Sequence, residues 1–280
     1  MVIFNFLHNY HPDSIFFQLG ILNIHWYGLG YVVGIVGGIL IIFGLGKNCQ
    51  IKNEHLWNLF FWLIVFGLLG ARLYYVGLNF EYYFQNPLDI FKIWQGGMAI
   101  HGAIIAGFIT LFFYCKKYKS FTFFRKKVKG KLNFQFLIDI FAPALVFGQI
   151  IGRWGNYFNQ ELYGLPTNLQ WGIPIDLKNR IAGYENFEFF HPTFLYESLG
   201  CLLILLILIF LYKKIPQMRG TGNIFLIYLI LYSILRFFLE FLRIDPTLMI
   251  LGIRWPQIVC IILILTSFEF LIKNFFCARR

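Results

Sequence analysis

Seven runs of about twenty residues, each dominated by Leu, Ile, Phe, Val and Gly, recur along the chain, and an α-helix needs a run of that length and apolarity to cross a bilayer. Their approximate limits are Trp26 to Gly46, Leu56 to Gly77, Gln95 to Cys115, Asn133 to Ile151, Thr193 to Tyr212, Gly222 to Phe241 and Trp255 to Lys273. Backbone amides in hydrocarbon must be satisfied within the protein, so a spanning segment is either a helix or a strand of a closed barrel. The apolar/polar alternation of a barrel strand is absent here, which leaves helices. The composition agrees, with 59% hydrophobic, 21% aromatic and only 13% charged residues, where a soluble domain is about a quarter charged. The expected fold is an all-α polytopic membrane protein of seven transmembrane helices, with residues 1–280 forming a single integral membrane domain.

The formal charge of +11 does not point to nucleic acid, because the basic residues sit in short connections beside apolar runs. Sixteen of them fall on one side of the seven spans: Lys47, Lys52, Lys116, Lys117, Lys119, Arg125, Lys126, Lys127, Lys129, Lys131, Lys213, Lys214, Arg219, Lys273, Arg279 and Arg280. Lys92, Arg153, Lys178, Arg180, Arg243 and Arg254 fall on the other, and Arg72 and Arg236 lie within spans. By the positive-inside rule the first side is cytoplasmic, which puts the N-terminus outside and the C-terminus inside. The longest outer connection, residues 152–192, mixes Gly, Pro, Asn, Trp and Tyr and is expected to build a small extracytoplasmic head. The first basic residue is Lys47 and His11-Pro12-Asp13 breaks the opening segment, so a cleaved secretory signal is not expected. The five cysteines and six histidines show no paired ligand spacing. Neither a metal nor any other cofactor is expected.

Ionisable groups within spans are costly and tend to face a cavity or a partner. With the orientation above, Tyr27 lies at the outer mouth of the first span, and His101 lies six residues, about 9 Å, below Gln95 in the third. Tyr196 and Glu197 are near the outer end of the fifth, and Arg72 near the outer end of the second. On the sixth, Tyr232, Arg236, Glu240 and Arg243 stand at offsets that share one helix face. Two readings of that face stand: a buried Arg–Glu pair that locks helices together, or one wall of an outer-leaflet cavity. His101 likewise reads either as an interhelical hydrogen-bonding histidine or as a base. Gly30, Gly34 and Gly38 recur at the spacing that lets helices approach closely. Asp139 and Glu269 are expected near the inner interface, where water satisfies them, and Trp26, Trp94 and Trp255 are expected as interfacial anchors.

The most informative segment is the run Gly152-Arg153-Trp154-Gly155-Asn156-Tyr157-Phe158-Asn159-Gln160-Glu161-Leu162-Tyr163-Gly164 beyond the fourth span. Its glycines permit tight turns, its asparagines supply donors and acceptors, and Arg153 offers a planar fork suited to a phosphate. Several arginines around an outer-leaflet cavity suit an anionic phospholipid, both by attracting its phosphate and by stabilising charge that leaves with it. No nucleotide is available on that side, and no GxxxxGK[ST] loop occurs. An outer-leaflet lipid or solute transporter also places charges on helix faces, but the weight of polar groups toward one leaflet differs from a midplane transport site.

The run closely resembles the signature of the bacterial prolipoprotein diacylglyceryl transferases, Gly-Arg-x-Gly-Asn-aromatic-x-Asn-x-Glu-x-x-Gly. Further segments resemble that family in the same order: Trp26-Tyr27-Gly28, Gly97-Met98-Ala99-Ile100-His101-Gly102, His191-Pro192-Thr193 with Leu195-Tyr196-Glu197, and Arg236 through Arg243. The resemblance implies transfer of the diacylglyceryl group of phosphatidylglycerol to the lipobox cysteine thiol of a prolipoprotein signal peptide, with release of glycerol phosphate. It further implies a multi-pass enzyme of the bacterial cytoplasmic (inner) membrane whose site faces the outer leaflet. Carried over by motif, His101, Tyr27, Arg236 and Glu240 are the candidate catalytic residues, and Arg153, Asn156, Glu161 and Gly164 the candidate phosphatidylglycerol-binding residues. His101 is the candidate base for the thiol, Arg153 and Arg236 the candidate stabilisers of the departing phosphate, and Glu240 the group that orients an arginine. The chain departs from the pattern at Tyr157, where an apolar residue such as Phe is usual, and at Ala103, where a second glycine is common.

Overall fold

The structure is a computed structural model that describes residues 7–20, 22–47, 53–93, 96–117 and 134–277. Trp94, Gln95, the basic residues from Lys119 to Lys131, and Lys52, Arg279 and Arg280, all used above, lie outside the described residues. Among the described residues seven long helices follow one another, with the short helix Phe80–Gln85 between the second and third: α1 (Trp26–Lys47), α2 (Asn53–Leu78), α3 (Ile100–Lys117), α4 (Phe134–Phe158), α5 (Thr193–Lys214), α6 (Asn223–Leu239) and α7 (Trp255–Cys277). Among the described residues six are long and apolar enough to cross a membrane, and α6 is apolar but shorter, at 17 residues. Among the described residues three short antiparallel ribbons accompany them: β1 (Ile15–Leu19) with β2 (Leu22–His25), β3 (Ile173–Pro174) with β4 (Phe189–Phe190), and β5 (Met249–Ile250) with β6 (Ile253–Arg254). The chain divides into two compact units, residues 1–42 with 138–280, and residues 43–137.

In the first unit α4 is the central element, with Ile140, Ala142 and Val146 fully buried. The glycine stripe of α1 packs on it. A Cβ on Gly34 would stand 3.6 Å from the Gly148 Cα, one on Gly38 3.6 Å from the Ala144 Cβ, and one on Gly30 3.8 Å from Ile151. The spacing therefore serves helix packing, as expected. A fourth glycine, Gly37, receives the Phe147 ring in the space a side chain would need.

Asp139 is not hydrated at an interface; it is fully buried on α4. One carboxylate oxygen accepts the Gly220 and Gly222 amides at 2.9 and 3.0 Å, and the other accepts the Phe225 amide at 3.1 Å. The first amides of a helix have no partner within it and carry partial positive charge. A carboxylate from a neighbouring helix thus caps α6, whose own N-cap position is Gly222 with a left-handed backbone and no side-chain bond. Glu269, by contrast, is exposed and pairs with Lys273 one turn on.

The expected connection at 152–192 begins later than the sequence suggests, because α4 runs on through Phe158. Arg153 and Asn156 are therefore held on the last two turns of a helix. The chain then reverses through Gln160 and Leu162, both with positive φ. The head that follows is built on Tyr157, Tyr163, Ile173, Ile175, Phe190 and Phe194, with Leu7 packed into the same cluster. Gln160 ties it together, donating to the Pro12 carbonyl and to Asp176 at 2.8 Å each while accepting the Asp176 amide at 2.7 Å.

In the second unit α2 and α3 lie so close that a Cβ on Gly70 would fall 2.6 Å from the Gly102 carbonyl oxygen, and one on Gly102 2.1 Å from that of Gly70. Gly96 and Gly97, at φ +87° and +74°, keep the preceding backbone out of the helix, so α3 starts at Ile100. His101 accordingly stands in the first turn of its helix, not a turn and a half inside it.

The Asp139 cap is testable. Asp139→Asn keeps the size of the side chain but turns an amide donor toward backbone donors, and loss of a charge-assisted contact costs about 1.5–3 kcal/mol. The variant is expected to unfold at lower temperature than wild type in the same detergent; an unchanged midpoint would show that the cap contributes nothing.

Candidate active site

The site of the first unit starts from Asn156. Its side-chain amide donates to the Glu161 carboxylate at 2.7 Å and to the Tyr27 hydroxyl at 3.0 Å, and its oxygen accepts from Arg153 Nη1 at 3.2 Å. Both donors and the acceptor of the group are thus in use. The turn after α4 makes this possible, because the Glu161 amide bonds back to the Asn156 carbonyl at 2.9 Å and brings the two side chains together. Gly155 makes room for Tyr27: a Cβ there would meet the ring carbons at 3.1 to 3.2 Å.

Arg153 carries the network onward. Its Nη2 stands 3.0 Å from Glu197 Oε1 on α5, and the Tyr232 hydroxyl of α6 donates to the same oxygen at 2.9 Å. Glu197 Oε2 faces Arg236 Nη1 at 3.6 Å, Arg236 Nη2 faces Glu240 Oε2 at 3.0 Å, and Glu240 Oε1 accepts from Arg254 Nε at 2.8 Å. Cations and anions alternate along this chain of contacts. The acids lie deepest, Glu197 at 2% and Glu240 at 1% exposure, whereas the side chains of Arg153, Arg236 and Arg254 are 21%, 18% and 18% exposed. Two contacts are close in space without aligned hydrogen bonds, since among the described residues Arg236 Nη1 and Glu240 Oε2 are enclosed with no hydrogen-bond partner. Charge attraction holds them there. Buried carboxylates of this kind fix guanidiniums whose remaining surface attracts a further anion such as a phosphate.

Gly164 lies where the head meets the chain leaving α6. Its amide donates to the His191 carbonyl at 2.9 Å, and the Leu165 amide donates to the Leu242 carbonyl at 2.8 Å. A Cβ at 164 would fall 2.8 Å from the His191 Cβ, 2.9 Å from Thr193 Cγ2 and 3.0 Å from the Leu242 oxygen. The backbone pairing of Gly164 with Arg243 also corrects the expected four-residue helix face. Helix α6 stops at Leu239, Glu240 follows as its C-cap, and Arg243 turns to Asp245 at 2.6 Å.

Seven of the eight residues carried over by motif therefore come together in one unit: Tyr27, Arg153, Asn156, Glu161, Gly164, Arg236 and Glu240. His101 belongs to the other unit, where it is exposed with its ring 6.0 Å from that of Tyr74. In that unit Arg72 is bound up in structure, with Nε, Nη1 and Nη2 donating to the carbonyls of Ile90, Gly96, Gly97 and Asp89. It braces the loop that leads into α3. Three members of the network are not among the eight residues carried over by motif. Glu197 stands out in the sequence for its depth in the fifth span and for the resembling segment it ends, Tyr232 for the helix face it shares with Arg236, and Arg254 only as a topology charge, for its partner lies fourteen positions away with no helical period to connect them.

The chain matches the family described as prolipoprotein diacylglyceryl transferase over residues 14–273. It is similar to proteins named phosphatidylglycerol–prolipoprotein diacylglyceryl transferase from three bacteria. That of Synechocystis is 40% identical over 257 residues, which is 91% of this chain and 86% of that protein. That of Fervidobacterium nodosum is 42% identical over 252 residues, or 89% and 80% of the two chains. That of Finegoldia magna is 40% identical over 261 residues, or 93% and 95%. The chain belongs to the prolipoprotein diacylglyceryl transferase family. The departure at Tyr157 is absorbed by the head, where this member of the family stacks the ring on Phe194 at 4.6 Å between centroids and encloses its hydroxyl without a partner among the described residues.

Two substitutions follow. Gly164→Ala pushes the new methyl against the Leu242 carbonyl and the His191 and Thr193 side chains, an overpacking that costs about 1–3 kcal/mol, so thermal stability in detergent is expected to fall; an unaltered midpoint would show that the junction yields freely. Tyr157→Phe removes an unpartnered buried hydroxyl and is expected to stabilise the protein by about 1 kcal/mol. A destabilised Phe variant would reveal a partner for that hydroxyl.

Proposed function

We propose that this chain transfers the diacylglyceryl group of phosphatidylglycerol to the lipobox cysteine thiol of a prolipoprotein, releasing glycerol phosphate. The observation that carries the reading is the continuous chain of contacts from Glu161 and Asn156 through Arg153, Glu197, Arg236 and Glu240 within a member of this transferase family. The names of its relatives agree with a transferase that acts on these two substrates.

In the reaction a thioether bond forms between the cysteine sulfur and the glyceryl carbon, and the carbon–oxygen bond to phosphate breaks. The electron pair leaves with glycerol phosphate, and the thiol proton passes to a base. An ordinary thiol, with a pKa of about 8.5, is mostly protonated at neutral pH, so a base raises the reactive fraction. His101 is assigned that role. Arg153 and Arg236 bind the phosphate and stabilise the charge that builds up on it. Glu240 orients Arg236, and Tyr27, Asn156 and Glu161 form the adjoining part of the head-group site, which Gly164 holds against the end of α6.

The same reading makes α6 a span as well, the sixth of seven in chain order. Its 17 residues rise about 25 Å as a helix, a little less than the roughly 30 Å of a hydrocarbon core. The turn from Glu240 to Leu242 continues it. The bias of basic residues supports an external N-terminus, an internal C-terminus and a site toward the outer leaflet of the bacterial cytoplasmic membrane. The segment 159–192 is then an extracytoplasmic head beside the site.

The test is mass spectrometry of a synthetic lipobox peptide incubated with purified protein and phosphatidylglycerol in the absence of ATP. A diacylglyceryl adduct on the cysteine is expected. Arg153→Ala is expected to slow its formation on the order of a hundredfold or more, and His101→Gln about a hundredfold or more at neutral pH. A His101→Gln enzyme with near-normal turnover would remove the histidine from the base role, whereas an unmodified peptide from folded wild-type protein would favour a transporter.

A further inference from the structure

We propose that Arg254 is a positioning residue of the transferase reaction, acting through Glu240 to keep Arg236 available to the lipid phosphate. The inference rests on the transferase reading above. Arg254 ends β6 and immediately precedes α7, and its backbone is fixed from two directions. Met249 pairs with it across the β5–β6 ribbon, and the Gln257 side chain reaches back from the first turn of α7 to accept its amide at 3.2 Å. That reach from the third helical position to the residue before the helix is half of a capping box. The Trp255 amide, bonded to the Leu248 carbonyl at 2.8 Å, closes the ribbon at the same level.

From this fixed backbone the guanidinium spreads over three points of the connection between α6 and α7. Nε donates to Glu240 Oε1 at 2.8 Å, Nη1 to the Arg243 carbonyl at 3.1 Å, and Nη2 to the Asp245 carbonyl at 2.8 Å. Each nitrogen of the fork is engaged by protein, so Arg254 is placed to hold its neighbours, not to bind substrate. Its effect on Glu240 is specific. With Oε1 taken by Arg254, the carboxylate presents Oε2 to Arg236 Nη2 at 3.0 Å, and Arg236 Nη1 is left facing Glu197.

Without Arg254 a carboxylate at 1% exposure loses one of its two cationic partners. Leaving a buried charge half-paired is costly, and the relief available is a two-pronged pairing of both Glu240 oxygens with Arg236. A planar fork suits that arrangement. It draws Arg236 away from Glu197 and neutralises the guanidinium that the phosphate needs. Arg254 thus prevents Glu240 from binding Arg236 too well.

The experiment compares wild type, Arg254→Gln, Glu240→Gln and the double variant, each checked for a cooperative thermal transition, in the peptide-modification assay at varied phosphatidylglycerol. Arg254→Gln is expected to lower kcat/KM about tenfold or more and to raise the apparent KM for the lipid at least about threefold. Because the residue acts through Glu240, the double variant is expected within about threefold of Glu240→Gln alone. A general loosening of the fold would multiply the two single effects, and that result, or an Arg254→Gln enzyme within about twofold of wild type, overturns the proposal. Should Arg254→Gln not be recovered folded, Arg254→Lys, which keeps the charge but not the fork, replaces it. About a fivefold loss of kcat/KM is then expected and an unchanged value overturns the proposal. A wild-type protein that leaves the peptide unmodified overturns the transferase reading and this inference with it, whereas an active wild type with an unaffected Arg254→Gln overturns this inference alone.

Discussion

Glu197 and Glu240, two carboxylates with almost no exposure to solvent, hold the site of the first unit together. An isolated buried carboxylate is too costly to keep charged, so each requires cationic partners, and each gains two. Glu197 takes Arg153 from α4 and Arg236 from α6, and Glu240 takes Arg236 and Arg254. The requirement for compensation therefore fixes the relative placement of α4, α5, α6 and the start of α7. Replacing the acids and their arginines together by apolar residues of similar volume removes that requirement along with the cost, which is why such a network is better explained by a need to hold arginines than by a need for stability.

The helices can satisfy this demand because small residues let them approach. Gly34 and Gly38 bring α1 onto α4 at Gly148 and Ala144, and the same approach about two turns earlier allows Tyr27 to lie over Gly155 and meet Asn156. Packing and chemistry are here one property of the sequence. In lipid there is no hydrophobic drive to bring helices together, so close backbone contact and interhelical polar bonds carry the association. Asp139 adds a polar bond of this kind, from α4 to the amides of α6, at the end of those helices away from the arginines.

The long apolar helices were legible in the sequence because length and apolarity are local properties that a window of residues contains. Their ends were not. The run from Gly152 to Phe158 has the composition of a loop, yet it is helix, because Gly155 makes room for Tyr27 and its polar side chains answer to one another across the turn at Gln160 and Leu162. Gly96 and Gly97 act in the opposite sense and shorten α3 to a start at Ile100. Asp139 was misread for a related reason: its partners are backbone amides of another helix, and backbone groups leave no mark in a sequence. Family resemblance found Tyr27, Arg153, Asn156, Glu161, Gly164, Arg236 and Glu240 without any of this geometry, but it gave each of them as a separate point and left Glu197 and Arg254 outside the set.

That omission bears on how a charge in a connection of a membrane protein should be read. Counting Arg254 toward topology was arithmetically sound, since one charge among twenty-four changes no orientation. The same residue, fixed by the β5–β6 ribbon and by Gln257, is a partner of Glu240. A basic residue that serves topology needs only to stay on its side and can remain solvated, whereas one whose fork is filled by a carboxylate and two carbonyls has given up its water for a fixed geometry. The number of donors so engaged, more than the charge itself, separates the two uses. Lys273, exposed and paired with an equally exposed Glu269, belongs to the first kind, and Arg254 to the second.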